Sequence, residues 1–330
     1  MKNKKILPLL FVMLLVIGAL TFAAFRRSAN EITETAGQAT HAETKQTELS
    51  FNGKSCPLNR DIETYLLVGL DSDGEKVSED TWKFYNHIQS DVLLLAAVDR
   101  REKTVDVIQL NRDTMMEVPW LDVTGRCRGT TFKQLALSYN SGSGGLDSLH
   151  NTKNAVSSLL FDAPIDHCLA FTMAGIAALN DLVGGVTVTV RDDLTAVDSH
   201  FVQGSEVTLH GDQAQKFLRA RLILDNDTNA ARMARHRDYL EGFLKSAETV
   251  TGEPDFALKA AEKLDKYTVT DMTVQEMSEL AQYVSEYGIS SVSYPEGDLR
   301  LTEHYEFYTD MDSLWNIVSR VFCDIGDGSR

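Results

Sequence analysis

Hydrophobic and polar positions alternate at near period-two spacing along residues 104–110. Two valines and a leucine lie among polar neighbours, and one isoleucine adds to the apolar side, so the pattern predicts a largely buried β-strand. The polar run 111–114, which contains Arg112, follows at the end of this strand. Ligands usually bind in the crevice outside the carboxyl ends of parallel strands. Arg112 is therefore a candidate ligand-binding residue, and a surface salt bridge is the alternative interpretation.

The pattern elsewhere predicts strands that alternate with helices. Strands are expected at residues 65–70, 91–98, 165–171, 186–190 and 290–294, and a hairpin through 99–103 joins the second of these to the strand at 104–110. Helices are expected at residues 132–139, 146–160, 173–183, within 209–221, from about 229 past 244, 256–266, from a capping box at Thr273 and Glu276, and 312–322. Strands and helices that alternate in this way, each helical segment having about the length of one crossover connection, predict an α/β fold. We expect a layered α/β/α domain with a mixed central sheet.

Residues 6–25 form an uncharged and mostly apolar stretch. At ~1.5 Å per residue its length matches a hydrocarbon core of ~30 Å, which predicts one transmembrane helix. A cleaved signal peptide is the alternative, but its apolar region is usually only ~7 to 15 residues long. Three lysines before the span outweigh the two arginines after it, so we expect the N-terminus in the cytoplasm and the remainder outside the cell.

These signals divide the chain into four parts. Residues 1–27 are expected to be a cytoplasmic end and transmembrane anchor. Residues 28–58, which have few large apolar side chains over most of their length, are expected to form an extracellular linker. Residues 59–325 are the predicted folded domain, and residues 326–330 are a short tail.

Charge excludes one class of function. The chain has a formal net charge of −16, and because its first 27 residues are basic, the remainder has 27 basic against 48 acidic residues, a balance of −21. A general nucleic-acid-binding protein needs a basic surface, so we expect no nucleic-acid partner.

Within this acidic body, residues 216–237 are locally basic. Six basic side chains stand there against two aspartates; they are Lys216, Arg219, Arg221, Arg232, Arg235 and Arg237. The planar guanidinium fork binds two phosphate oxygens at once and keeps its charge, so the cluster is a candidate phosphate site. Arg219 and Arg221 would diverge on a regular helix, so both can reach one site only if the helix ends there. Ion pairs with the many acids of the protein are the alternative.

Two aspartates lie at the ends of predicted strands. Asp71 follows the strand at 65–70, and Asp91 opens the next strand. If these strands are antiparallel neighbours, the two carboxylates lie at the same edge of the sheet. Such oxygen ligands suit Mg²⁺, which prefers one or two carboxylates with water and substrate phosphate. Turn formation and helix or strand capping are the alternative roles.

The four cysteines leave several states open. They are Cys56, Cys127, Cys168 and Cys323, which are far apart and lack a CxxC spacing, so a zinc cluster is not expected. Outside the cell they could form up to two disulfides, with three possible complete pairings. Lone buried thiols fit the sequence equally well.

Several short motifs together resemble the LytR-CpsA-Psr (LCP) family of cell-wall ligases. They are Leu-Leu-Val-Gly-Leu-Asp at 66–71, Ser-Asp-Val at 90–92, Leu-Asn-Arg-Asp-Thr at 110–114, Asp-Leu-Val-Gly-Gly-Val-Thr-Val at 181–188, and Leu-Arg-Ala-Arg at 218–221 followed by Arg-Met-Ala-Arg-His at 232–236. The resemblance covers about residues 60–325. It implies an enzyme that uses Mg²⁺ to transfer a glycopolymer, such as teichoic acid or capsule, from a polyprenyl pyrophosphate carrier at the membrane to peptidoglycan.

The resemblance also implies roles for single residues. Asp71 and Asp91 would hold the metal. The pyrophosphate would be bound by basic residues, namely Arg112, Lys133, Arg219, Arg221, Arg232 and Arg235. Phosphoryl transfer depends mainly on positioning and on neutralising charge, and a carboxylate would orient the acceptor hydroxyl, with Asp113 and Asp71 as candidates. The expected catalytic residues are therefore Asp71, Asp91, Arg112 and Asp113.

Three departures mark the chain as a divergent member. Gln89 stands where the family usually has arginine before its Ser-Asp pair, His236 replaces the glutamine of an Arg-Gln pair, and residues 135–139 replace an Asn-Ala-Ala-Tyr run. A non-catalytic envelope protein that binds polyprenyl pyrophosphate or glycopolymer is therefore the competing hypothesis. A serine or zinc hydrolase is disfavoured, because the sequence contains neither G-x-S-x-G nor H-E-x-x-H.

Overall fold

The computed structural model describes residues 47–72, 88–220 and 263–324, with positions 235, 238, 239, 241–243, 245–247 and 250 between them. The predicted membrane span and the helix start near residue 229 lie outside the described residues, as do most of the predicted helix at 256–266 and the tail at 326–330. In the part of the chain that is described, no helix has the length and apolar character needed to cross a membrane.

The elements are numbered here in chain order. The strands are β1 (Glu48–Phe51), β2 (Lys54–Pro57), β3 (Ile62–Leu70), β4 (Ser90–Asp99), β5 (Thr104–Leu110), β6 (Met115–Leu121), β7 (Cys127–Gln134), β8 (His167–Thr172), β9 (Val186–Thr189), β10 (Glu206–Leu209), β11 (Thr268–Thr270), β12 (Ser291–Ser293), β13 (Gly297–Leu301) and β14 (Tyr305–Thr309). The α-helices are α1 (Gly145–Leu159), α2 (Met173–Leu182), α3 (Asp212–Arg219), α4 (Val274–Tyr287) and α5 (Met311–Phe322).

A six-stranded sheet with the order β11-β8-β3-β4-β5-β12 forms the centre of the domain. β4 is antiparallel to both β3 and β5, and β11 is antiparallel to β8. β8 is parallel to β3, and β12 is parallel to β5. Four strands therefore share one direction and end at the same edge. The α/β class and the mixed central sheet are confirmed.

The alternation of side chains along the central strands separates two hydrophobic cores. Along β5, Val105 and Val107 pack with α2, α3 and α4 on one face of the sheet. Ile108 and Leu110 pack with α1 and α5 on the other face. All four side chains are buried, as the sequence pattern predicts for this strand. The result is a sheet between two helical layers.

Most predicted helices are present, and their ends follow from local chemistry. α2 ends before Gly184 and Gly185, both of which have positive φ, and their N–H groups donate to carbonyls of the last turn. α4 opens with the capping box of Thr273 and Glu276. The helix predicted at residues 132–139 is wrong. Its first three residues end strand β7, and two 3-10 turns follow at Leu135–Leu137 and Tyr139–Ser141.

The folded part begins earlier than the predicted boundary at residue 59. β1 and β2 form a hairpin whose Leu49 is fully buried. A disulfide joins Cys56 to Cys323 at the end of α5, with Cα atoms 5.8 Å apart. Of the remaining thiols, Cys127 is exposed and Cys168 is buried. This decides the pairing that the sequence leaves open, and it fastens the start of the domain to its last helix.

Candidate functional site

The predicted acids lie on neighbouring strands at one edge of the sheet. Because β3 and β4 are antiparallel, Leu70 at the end of β3 is paired with Ser90 at the start of β4. The Asp71 N–H donates to the Gln89 carbonyl at 2.9 Å. Asp71, directly after β3, and Asp91, in β4, therefore lie on neighbouring segments of the sheet, as predicted from the strand order.

Arg112 lies at the same edge, just beyond the end of β5. Its guanidinium donates from Nη1 to the carboxylate of Asp91 and from Nη2 to Oε1 of Gln89. Its Nε lies 3.6 Å from Oδ1 of Asp113. The planar fork thus contacts one carboxylate on β4 and one amide in the preceding loop, and its Nε faces a second carboxylate, that of Asp113.

Arg219 brings a second guanidinium to Asp71. It is the last residue of α3, a helix terminus where a cation interacts favourably with the helix dipole. Ala220 leaves the helical conformation, with φ −51° and ψ 118°, so the helix ends at Arg219, which is the condition for Arg219 and Arg221 to reach one site. Nη2 of Arg219 donates to Oδ1 of Asp71. Arg221 follows but lies outside the described residues, as does Arg232.

Asp113 is held in place by two contacts that the sequence did not predict. Nε2 of Gln134, at the end of β7, donates to its Oδ1 at 3.1 Å. Phe307 of β14 donates its backbone N–H to the Asp113 carbonyl at 2.8 Å. Both partners belong to hairpins that are not seen in the hydrophobic pattern, because β7 is exposed over most of its length and β13 over all of it.

Lys133 lies at the base of the β6–β7 hairpin, which follows Arg112 along the chain. Its Nζ donates to Oγ of Ser141 at 2.5 Å. Burial lowers the pKa of the Lys133 ammonium below the ordinary value for lysine. Ser141 is a further residue that the sequence analysis missed, because a serine eight positions away carries no pattern of its own.

Arg235 differs from the other predicted arginines because only 1% of its side chain is exposed. Its Nη2 donates to the carbonyl of Ala220, and its Nη1 lies 3.5 Å from Oδ2 of Asp192. In this position Arg235 fixes the chain immediately after Arg219. Direct binding of pyrophosphate by Arg235 stays a prediction.

The donor atoms at this edge fit the predicted magnesium ion. Asp71 and Asp91 supply carboxylate oxygens, the ligands that Mg²⁺ prefers. Their side chains are 47% and 37% exposed, so water and substrate phosphate could complete the coordination shell. Both predicted ligands are carboxylate oxygens, which are hard donors of the kind that suits Mg²⁺.

Comparison with known proteins matches the LytR_cpsA_psr family across residues 20–320. The chain belongs to this family. A relative of Enterococcus faecalis, the polyisoprenyl-teichoic acid–peptidoglycan teichoic acid transferase TagU, is 24% identical over 300 residues, which are 87% of this chain and 86% of that protein. TagU of Bacillus subtilis is 24% identical over 263 residues, 77% of this chain and 75% of that protein.

Solved structures share the fold. The protein gbs0355 of Streptococcus agalactiae superposes with a TM-score of 0.57 at 19% identity, covering 79% of this chain and 86% of that chain. At these identities the likeness concerns the fold alone. Curated relatives of this LytR_cpsA_psr member are transferases that attach teichoic acid to peptidoglycan.

Proposed function

We propose that this protein transfers a polyprenyl-pyrophosphate-linked glycopolymer, of the teichoic acid or capsule type, to peptidoglycan during cell-wall biogenesis. It would act as a phosphotransferase. The observation that carries the proposal is the convergence of two arginine–aspartate pairs, Arg112 with Asp91 and Arg219 with Asp71, at one edge of the sheet. The names of the TagU relatives support it, as does a solved structure of the same fold, TagT bound to LI-WTA.

The charges at this edge are balanced in a way that suits such a substrate. Three carboxylates contact two guanidinium groups, and Lys133 precedes Gln134, which contacts Asp113. A pyrophosphate diester carries two negative charges, and Mg²⁺ carries two positive charges. Their joint binding would let the basic side chains turn from carboxylates to phosphate oxygens while the carboxylates turn to the metal. No net charge would be left uncompensated, which matters because unpaired charges are costly in a partly desolvated site.

Asp71 and Asp91 would hold Mg²⁺. When bound, the ion would supply Lewis-acid stabilisation of the phosphate oxygens. Arg112 and Arg219 would bind the pyrophosphate through charge-assisted hydrogen bonds and offset the charge that develops on the leaving phosphate. Lys133, and Arg221 and Arg232 from the basic segment, would extend this positive surface.

The chemical step is a transfer of one phosphoryl group. The acceptor hydroxyl of peptidoglycan forms a bond to the phosphorus that carries the glycopolymer, and the bond from that phosphorus to the bridging oxygen breaks. The electron pair leaves with polyprenyl phosphate, beside the guanidinium groups. The hydroxyl proton passes to a carboxylate. Asp113 fits this role, because Gln134 orients it and because it is not needed for the metal.

Residues 6–25 would anchor the protein in the cell membrane by a single span, with the N-terminus in the cytoplasm and the catalytic domain outside. This location would place the site at the leaflet that holds the lipid-linked substrate. The disulfide between Cys56 and Cys323 supports it, since such bonds persist in oxidising surroundings. Protease added to intact protoplasts should digest the domain, whereas a protected domain would refute this topology.

Gln89 gives the competing function a specific basis. Its amide occupies one arm of the Arg112 fork, where the family usually has another arginine. A site with one positive charge fewer could bind polyprenyl pyrophosphate without transferring the glycopolymer, which would make the protein a binding component of the envelope.

One experiment separates the two functions. The purified full chain in detergent is mixed with Mg²⁺, a polyprenyl-pyrophosphate-linked disaccharide and peptidoglycan fragments, and released polyprenyl phosphate is measured. The transferase should release it, and chelation of Mg²⁺ should stop the release. The variant Arg128→Ala provides a matched control, because it removes an arginine–aspartate pair with Asp122 on the β6–β7 hairpin rather than at the proposed site. Binding without release would favour the competing function.

A further inference from the structure

A second cluster of chemically distinctive side chains lies at the opposite end of β8. Cys168 is the second residue of β8, near its amino end, while the site described above lies at the carboxyl ends of the parallel strands. Asp271 directly follows β11, the antiparallel neighbour of β8. His150 lies on α1, which packs against both strands. Three separate elements thus bring an imidazole, a thiol and a carboxylate together.

The three groups are close enough to share one small ligand. Oδ2 of Asp271 lies 3.2 Å from Nε2 of His150 and 3.2 Å from Sγ of Cys168. The ligand atoms of all three residues lie within 4.8 Å of one another. In a tetrahedral site with bonds of about 2.0 to 2.3 Å, neighbouring donor atoms are roughly 3.3 to 3.6 Å apart. Small movements of the side chains would therefore suffice to surround an ion.

The carboxylate is already oriented for this role. The backbone N–H of Cys168 donates to Oδ1 of Asp271 at 2.7 Å. This contact fixes the carboxylate so that Oδ2 points toward the thiol and the imidazole. Lys153, one turn after His150 on α1, donates to the same Oδ2 at 3.1 Å. A hydrogen bond to the other oxygen, such as that from the Cys168 N–H to Oδ1, commonly orients a carboxylate ligand of a metal ion.

We propose that His150, Cys168 and Asp271 form a binding site for a zinc-type divalent cation. Nitrogen, sulfur and oxygen donors together suit Zn²⁺ and its probe Co²⁺, whereas Mg²⁺ takes oxygen ligands. The His150 side chain is 39% exposed, so water could occupy the fourth position. Such an ion would fasten α1 to β8 and to the outermost strand, β11, independently of the transferase function proposed above.

Binding has a defined proton balance. The thiol proton of Cys168 is released to solvent as the sulfur becomes a thiolate. The imidazole of His150 would bind the ion through Nε2 and carry a proton on Nδ1. The carboxylate is already ionised in the ion pair with Lys153. With Zn²⁺ bound, the three ligands together carry two negative charges and offset the charge of the ion, so Lys153 would give up its contact with Oδ2 and turn to solvent.

Cobalt titration tests this site in the full chain. The protein is purified in detergent, stripped with a chelator and titrated with Co²⁺. We expect a near-ultraviolet band from charge transfer between thiolate and cobalt, which oxygen ligands of the magnesium site cannot produce. Cys168→Ser should abolish the band. Cys127→Ser, which removes the exposed thiol, should leave it unchanged.

His150→Ala provides a second variant in case the buried serine prevents folding. It should weaken Co²⁺ binding by more than about 100-fold, since even an outer-shell partner is commonly worth ~10- to 100-fold. Zn²⁺ should raise the melting temperature of the wild-type protein but not of this variant. A folded wild-type protein without the band, or a band that survives in Cys168→Ser, would overturn the proposal and leave a hydrogen-bonded cluster only.

Discussion

Replacement of Arg112 should distinguish a role in pyrophosphate binding from a role in stability, because the two roles predict losses of different size in affinity and in the free energy of unfolding. In Arg112→Ala, the pyrophosphate would lose charge-assisted hydrogen bonds worth ~1.5 to 3 kcal/mol. Affinity for a polyprenyl pyrophosphate in the presence of Mg²⁺ should therefore fall roughly ten- to a hundred-fold. The arginine and its partner Asp91 are 29% and 37% exposed, and ion pairs this accessible to water contribute only about 0 to 1 kcal/mol to stability.

Pyrophosphate affinity should consequently fall strongly, while the melting temperature should change little. Loss of about 1 kcal/mol shifts the melting temperature of a domain of this size by roughly 2 to 4 °C, so the variant should remain folded while its binding weakens. Arg112→Lys keeps the charge but loses the planar fork, and we expect it to restore only part of the affinity. Arg128→Ala should leave the affinity unchanged.

Binding is measured by calorimetric titration with a short-chain polyprenyl pyrophosphate, and stability by thermal unfolding of the same preparations. If Arg112→Ala unfolds more than about 4 °C below the wild type while its affinity is unchanged, Arg112 serves only as a salt-bridge residue. The assignment of the pyrophosphate site would then be refuted.

Three further predictions concern other parts of the molecule. Cys56→Ser opens the disulfide, which closes a sequence separation of 267 residues, and should lower the free energy of unfolding by about 2 to 4 kcal/mol in urea titrations; equal midpoints for this variant and Cys127→Ser would contradict it. Since burial lowers the pKa of Lys133, its charge is present below that pKa and lost above it. As the pH rises, pyrophosphate affinity should therefore begin to fall earlier in the wild type than in Lys133→Arg. Coincident pH profiles would argue against contact between Lys133 and the pyrophosphate. Gln89→Arg should raise the transfer rate more than the affinity, because the added charge acts mainly on the leaving phosphate; no gain in rate would mean that the Gln89–Arg112 contact already completes the site.

The sequence predicted the part of the site that depends on buried strands. Period-two alternation identified β5, and a continuous apolar run identified β4, because both strands are covered on two faces. Once β3, β4 and β5 are taken as antiparallel neighbours, the position of Asp71, Asp91 and Arg112 at one edge follows from chain direction alone. The end of α2 and the start of α4 could also be predicted, because the glycines and the capping box that set them lie next to the helices in the sequence.

The remaining features depend on contacts without a local pattern. The end of β7 was predicted as a helix because its exposed side chains lack the alternation that burial imposes on a strand. Gln134 was therefore missed as the partner of Asp113. The pairing of Cys56 with Cys323 connects residues from opposite ends of the domain, so spacing could not select it. Local charge and the family resemblance both place Arg235 with the phosphate-binding arginines, and only the tertiary structure reveals that it is buried against Ala220.

Covalent transfer to peptidoglycan tests the proposed function most directly. Labelled polyprenyl-pyrophosphate-linked disaccharide, Mg²⁺ and peptidoglycan are incubated with the full chain, and the label bound to washed peptidoglycan is counted. We expect label on peptidoglycan with the wild type and with Arg128→Ala, and none with Asp91→Ala or after chelation of Mg²⁺. Label that accumulates equally with Asp91→Ala, or wild-type protein that binds the lipid but transfers no label, would contradict the assignment of a magnesium-dependent transferase to this edge of the sheet.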